Sequence, residues 1–197
     1  MSRKLSLEDI LDLRAYESQR EEYIARIIEL KRKRRISVGP YITFVFENRE
    51  TMRFQVQEMA RAEKMLRDEQ VQGELDAYNP LIPEPGELSA TLLVELRSNE
   101  ELREWLPRLV GVERSVAIRV GDETIPVDVD PTHAEMLTRE DVTSSVHYVR
   151  FRFDEAQIEA FARQPAVLVI DHPNYRHETP LPAETRATLL EDLRPDA

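Results

Sequence analysis

The chain has 197 residues, a net charge of −11 and no cysteine. That length suits one domain with a proper core, and the missing thiols exclude disulfides, thiolate metal sites and cysteine nucleophiles within the chain. No apolar run approaches the ~20 residues that span a bilayer, and the charged N-terminus lacks the apolar stretch of a secretory signal, so a cytoplasmic protein is expected.

Charge is unevenly placed. Residues 1–35 carry 10 Lys/Arg against 7 Asp/Glu and the remainder 17 against 31, so a weakly basic segment (+3) precedes an acidic body (−14). An acidic body repels nucleic acid and anionic membranes.

In chain order, Ser6 suits the cap of a short helix, with Glu8 and Asp9 in its first turn. A longer helix is predicted over about 14–35, where Tyr16, Tyr23, Ile27 and Leu30 recur at helical spacing with Ile24 and Ile28 beside them. Gly39-Pro40 ends it. Residues 1–35 thus read as a helical arm and 36–197 as an α+β core. The arm's apolar stripes can pack on the same chain or form a homodimer contact.

Tyr41 to Phe46 reads as a strand with Ile42, Phe44 and Phe46 on one face. A second long helix follows over about 50–67, with Met52, Val56, Met59 and Leu66 on one stripe and Arg49, Arg53 and Gln57 on another. Asn79 to Gly86, with three prolines, reads as irregular. Thr91 to Leu96 looks like a buried strand, and Asn99 like the cap of a helix carrying Leu102, Trp105, Leu106 and Leu109.

Val116–Val120 and Thr124–Val129 form a hairpin around Gly121-Asp122, and Pro126 argues for an edge strand. A polar connection is expected over 130–143. Ser145 to Phe153 alternates strictly, with His147, Val149, Phe151 and Phe153 on one face. Asp154 and Gln157 resemble a capping box. Ala166 to Ile170 is a continuous apolar run, which reads as a central strand covered on both faces. Pro182 suits the first turn of a last helix with Leu189, Leu190 and Leu193 inward. The whole predicts an α+β fold, a mainly antiparallel sheet packed by helices with an N-terminal helical segment.

The segment Asp171-His-Pro-Asn-Tyr-Arg-His-Glu178 carries the sharpest chemistry. It follows the most apolar strand, and sites favour loops set by rigid elements. His172, His177 and Glu178, joined by His147 if its strand lies alongside, offer imidazole and carboxylate donors for zinc or ferrous iron. A plain turn is the competing reading. Arg49 and Arg53, one turn apart, could grip an anion, although a solvated salt-bridge face explains them as well. Lys31 to Arg35 is a basic run able to meet a nucleic-acid backbone, yet it ends a helix, where cations offset the dipole. No Walker loop, dinucleotide fingerprint or nucleophile elbow is present.

Three stretches, Phe46 to Met59, Tyr78-Asn-Pro-Leu-Ile-Pro83 with Gly86-Glu-Leu-Ser-Ala90, and Asp171 to Glu178, resemble a bacterial family known only as a domain of unknown function. The resemblance covers nearly the whole chain and supplies no catalytic residues or cofactor. It implies neighbours of rubrerythrin-like and iron–sulfur oxidoreductase-like kind, and with them a role near peroxide defence or electron transfer. Three functions follow as expectations. The first is an accessory or binding protein whose acidic body steers a redox partner. The second is a small metal-dependent enzyme using 171–178. The third is a nucleic-acid binder through 31–35.

Overall fold

Four helices begin where a side-chain oxygen accepts from one of the first free backbone N–H groups. Asp12 Oδ1 accepts from Ala15 N–H at 2.9 Å and opens α1 (Leu13–Arg34). Asn48 Oδ1 accepts from Thr51 N–H at 3.0 Å and opens α2 (Arg49–Ala62). Asp154 Oδ1 accepts from Gln157 N–H at 2.8 Å and opens α5 (Glu155–Arg163). The cap of α4 (Asn99–Arg108) is Ser98, whose Oγ accepts from Glu101 N–H at 3.1 Å, rather than Asn99. Among the described residues the remaining α-helices are α3 (Asp68–Tyr78) and α6 (Ala183–Leu193). The irregular stretch after Tyr78 contains one 3-10 turn, Asn79–Leu81.

The computed structural model describes residues 3–128 and 142–194. The connection expected over 130–143 lies, up to residue 141, outside them. The strands are β1 (Arg35–Val38), β2 (Ile42–Glu47), β3 (Glu87–Val94), β4 (Val116–Val120), β5 (Glu123–Asp128), β6 (Val146–Arg152), β7 (Ala166–His172) and β8 (Tyr175–Pro180). They form one eight-stranded sheet in the order β1-β2-β3-β6-β5-β4-β7-β8. Every neighbouring pair is antiparallel. The architecture is α+β, with a mainly antiparallel sheet and a helical segment at the N-terminus.

The sheet curls until its two edges meet. Inward residues from all eight strands, Val38, Phe44, Leu92, Ile118, Ile125, Phe151, Leu168 and Tyr175 among them, share one buried cluster. The edges are joined by side chains. Tyr175 Oη donates to the Val38 carbonyl at 2.7 Å and accepts from Tyr41 N–H at 2.9 Å and Ile42 N–H at 3.2 Å. Thr179 Oγ1 donates to the Ser37 carbonyl at 2.9 Å. Such closure hides the bare strand edges that otherwise invite aggregation.

Period-2 burial in β6 follows the alternation in its sequence: His147, Val149 and Phe151 are inside. Trp105, Leu106 and Leu109 from α4, Phe161 from α5, and Leu189 and Leu193 from α6 pack against the same cluster. A second cluster, with Met52, Val56, Leu75 and Ile82, seats α2 and α3 on the outer face near Tyr148. A third, Tyr16, Tyr23 and Ile27 with Phe54, holds α1 against α2.

Three strand expectations change. Arg35 leaves the helix and joins residues 36–38, unassigned from sequence, as β1, because Ile36 and Val38 alternate into the core while Arg35 and Ser37 face out. β5 is interior despite Pro126. Its ladder to β6 covers Val127 and Asp128 only, so the missing proline N–H is not needed there. β7 is second from the edge, between β4 and β8, and its outward Val167 and Val169 are half-buried rather than covered. Leu66 also departs from its expected stripe. α2 stops at Ala62, Lys64 adopts a left-handed φ of 52°, and Met65 N–H bonds back to the Ala60 carbonyl at 2.9 Å.

Candidate functional site

The segment 171–178 is a hairpin, not a loop. His172 pairs with Tyr175 across the turn Pro173-Asn174, and Asp171 pairs with Arg176. Alternation therefore decides where each donor points. His172 is inward and buried. Its Nε2 bonds the Val110 carbonyl at 3.1 Å, and its Nδ1 accepts from Asn174 N–H at 3.3 Å. A carbonyl can only accept, so Nε2 carries the proton and the one lone pair is already used. His177 lies against Tyr175, ring centroids 4.5 Å apart. Glu178 faces the other way and pairs with Arg119 at 2.9 Å.

His147 sits on β6, separated from β7 by β5 and β4. It is buried, and its Nε2 bonds the Ser144 carbonyl at 3.0 Å and Thr143 Oγ1 at 2.9 Å. Burial lowers its pKa below 6.5, against the pull of the nearby Glu113 carboxylate. Glu113 is itself buried, with Oε2 lacking a hydrogen-bond partner. Its sequence context, Gly-Val-Glu-Arg-Ser, looks exposed and gave no signal of this partnership. Among the described residues, no group of three or more His, Asp or Glu could hold a metal ion. The structure does not gather His172, His177, Glu178 and His147, and as placed they do not fit zinc or iron.

Arg49 and Arg53 both reach Asp9 of the same chain, Arg49 at its carboxylate and Arg53 at its backbone carbonyl. Arg49 Nη2 pairs with Asp9 Oδ1 at 2.6 Å and Arg53 Nε donates to the Asp9 carbonyl at 2.7 Å. Asp9 also accepts from Ser6 N–H at 2.8 Å. The basic run is similarly engaged. Arg34 is fully buried, donating to the Phe46 carbonyl at 2.8 Å, to the Glu47 carbonyl at 3.1 Å and to Asp192 of α6. Lys33 pairs with Glu184 at 3.4 Å and Arg32 with Glu29 at 2.8 Å. Arg35 pairs with Glu95 at 2.5 Å.

The surface is unusual at the elbow between α2 and α3. The left-handed turn at Lys64 throws Leu66 outward, 82% exposed. Leu66 also lines a cavity of about 200 Å³ with Leu7, Leu11, Leu13, Met65 and Val71, whose charged lining residues are Asp12, Asp68 and Arg67. Residues 63–76 hold five Asp/Glu against two Lys/Arg, and α3 itself has no base. Burial and the like charge of Glu63 push the Glu74 carboxyl up. This patch combines apolar area with negative potential.

Residues 4–193 match the model of a family described as Protein of unknown function (DUF3501). The chain belongs to that family. A crystal structure of a protein of unknown function from Burkholderia pseudomallei K96243 has the DUF3501 chain's fold, with a TM-score of 0.89 and 35% identity. The match covers 96% of this chain and 99% of that one. No curated protein matches. Among the described residues, no helix of this DUF3501 protein is long and apolar enough to cross a membrane.

Proposed function

We propose that the chain is an accessory or binding protein that docks a basic partner protein at the α2–α3 elbow, within a redox or oxidative-stress system. The observation that carries the reading is Leu66, held 82% exposed at a cavity lined mainly by apolar side chains, in a segment where acids outnumber bases. Burying one leucine contributes about 1.5–3 kcal/mol, and a negative field speeds encounter with a basic surface. The redox setting is supported by the family resemblance alone.

The test is co-purification at low salt from the native host, comparing the natural chain with Leu66→Ser. The natural chain is expected to recover a basic redox protein in stoichiometric amount, and the variant much less of it. Equal recovery by both, or no redox protein with either, contradicts the reading.

A further inference from the structure

The outer stripe of α1 is opposite in charge at its two ends and apolar between them. At 100° per residue, positions 17, 21, 24, 28 and 31 fall within one narrow band, and Arg35 continues it just past the helix end. In order these are Glu17, Glu21, Ile24, Ile28, Lys31 and Arg35. Acids occupy the N-terminal end, bases the C-terminal end and isoleucines the middle. The spacing of 4, 3, 4, 3 and 4 residues is that of a helix-pairing seam.

The middle is not covered by this chain. Ile28 is 64% exposed. With Ile24, Ile27 and Phe54 it lines a cavity of about 370 Å³ that Lys31 and Arg35 border. Arg26, midway along the stripe in sequence, lies on another side of the helix. Its guanidinium rests 5.2 Å from the Tyr23 ring centroid.

We propose that this face binds a second copy of the chain, α1 against α1 in antiparallel array, about a two-fold axis level with Arg26. That one rotation sets Ile24 against Ile28, Glu21 against Lys31 and Glu17 against Arg35, each contact made twice. Self-complementarity of this kind is what an isologous dimer requires. Glu21 and Lys31 make no ion pair among the described residues, and Lys31 rests over the Phe54 ring at 5.7 Å. Glu17 and Arg35 already have partners, Arg61 and Glu95, both at 2.5 Å. The new electrostatic contact is therefore mainly Glu21 to Lys31. A ligand of single sign, such as nucleic acid, an anionic membrane or an acidic peptide, would meet Glu17 and Glu21 as well as the bases. The segregated charge favours a copy of the same helix reversed.

The experiment is sedimentation equilibrium of the full chain over a concentration series. The natural chain should dimerise and Ile28→Asp should remain monomeric at the same concentrations. Glu21→Lys and Lys31→Glu should each weaken dimerisation about tenfold, whereas the double exchange E21K/K31E should restore it. Because the chain has no cysteine, an equal mixture of Ile24→Cys and Ile28→Cys chains gives an independent reading. The mixed 24–28 disulfide should form in excess over the 24–24 product, with circular dichroism confirming that both variants fold. A chain monomeric throughout, an exchange that fails to restore the dimer, or a dominant 24–24 product overturns the proposal.

Discussion

Tyr175 Oη donates a 2.7 Å hydrogen bond to the Val38 carbonyl, and so joins the last strand of the sheet to the first. The same oxygen accepts from Tyr41 and Ile42 N–H, so one side chain satisfies three backbone groups where the sheet lacks a ladder. Tyr175→Phe keeps the ring and strands those groups. The expected loss is about 1–3 kcal/mol of stability, measured by urea unfolding. An unchanged midpoint would mean that the closure contributes nothing.

Gly39 stands at the same seam. Its φ is +70°, and an added Cβ would lie 2.5 Å from Tyr175 Oη and 2.6 Å from His177 Cγ. Gly111, at φ +84° with open space around it, bears the conformational cost without the overlap. Gly39→Ala is therefore expected to destabilise more than Gly111→Ala, by about 1 kcal/mol or more. Equal thermal midpoints for the two variants would contradict the seam.

The seam explains why the 171–178 region misleads when read as sequence. Only Tyr175 of β8 is buried, so Tyr-Arg-His-Glu-Thr-Pro shows no apolar alternation and reads as a polar loop. Beyond Tyr175, its next inward residue is His177, which lies beside Gly39 of the β1–β2 turn. β6 was legible because its inward side meets the main cluster and its sequence alternates in step. β1 was hidden by its length of four residues and by the basic run that leads into it. Leu66 shares the helical stripe of Met52, Val56 and Met59 only if the helix continues through Lys64, and a lysine gives no warning of a left-handed turn. Of the chemistry, the burial of His147 was readable from alternation, whereas Glu113 beside it was not.

His147 makes stability depend on pH. Its folded pKa lies below 6.5 because burial disfavours the cation. The unfolded chain therefore binds more protons near that pH, and stability rises with pH there. The contribution is full above about pH 6.5 and declines as pH falls below it. The slope of unfolding free energy against pH between about 5 and 7 should be shallower in His147→Gln than in the natural chain. Parallel slopes would show that His147 titrates alike in both states.

Glu58 ties α1 to α2. It accepts from Tyr16 Oη at 2.7 Å and from Arg20 Nε and Nη2 at 2.8 Å each. The Arg20 hydrogen bond leads the causes that hold its carboxyl below 4.5, so its contribution is present above that pH and is lost as acid protonates it. Both charged partners are about one-quarter exposed, which limits the coupling to roughly 0.5–1 kcal/mol by screening. A double-mutant cycle on Arg20→Ala and Glu58→Ala at neutral pH should return that value, and hydrogen exchange along residues 13–23 should quicken in Glu58→Ala. A coupling of zero would leave α1 held by its apolar stripe alone.

The claim that the elbow is a docking surface is tested most directly by titrating the isotopically labelled chain with a lysine–leucine amphipathic peptide at low salt, and following backbone amide shifts. Saturable shifts centred on residues 65–71 and on Leu11 to Leu13, much reduced in Leu66→Ser, are the expected result. Shifts that never saturate, scatter over the acidic surface, or persist unchanged in Leu66→Ser would contradict it.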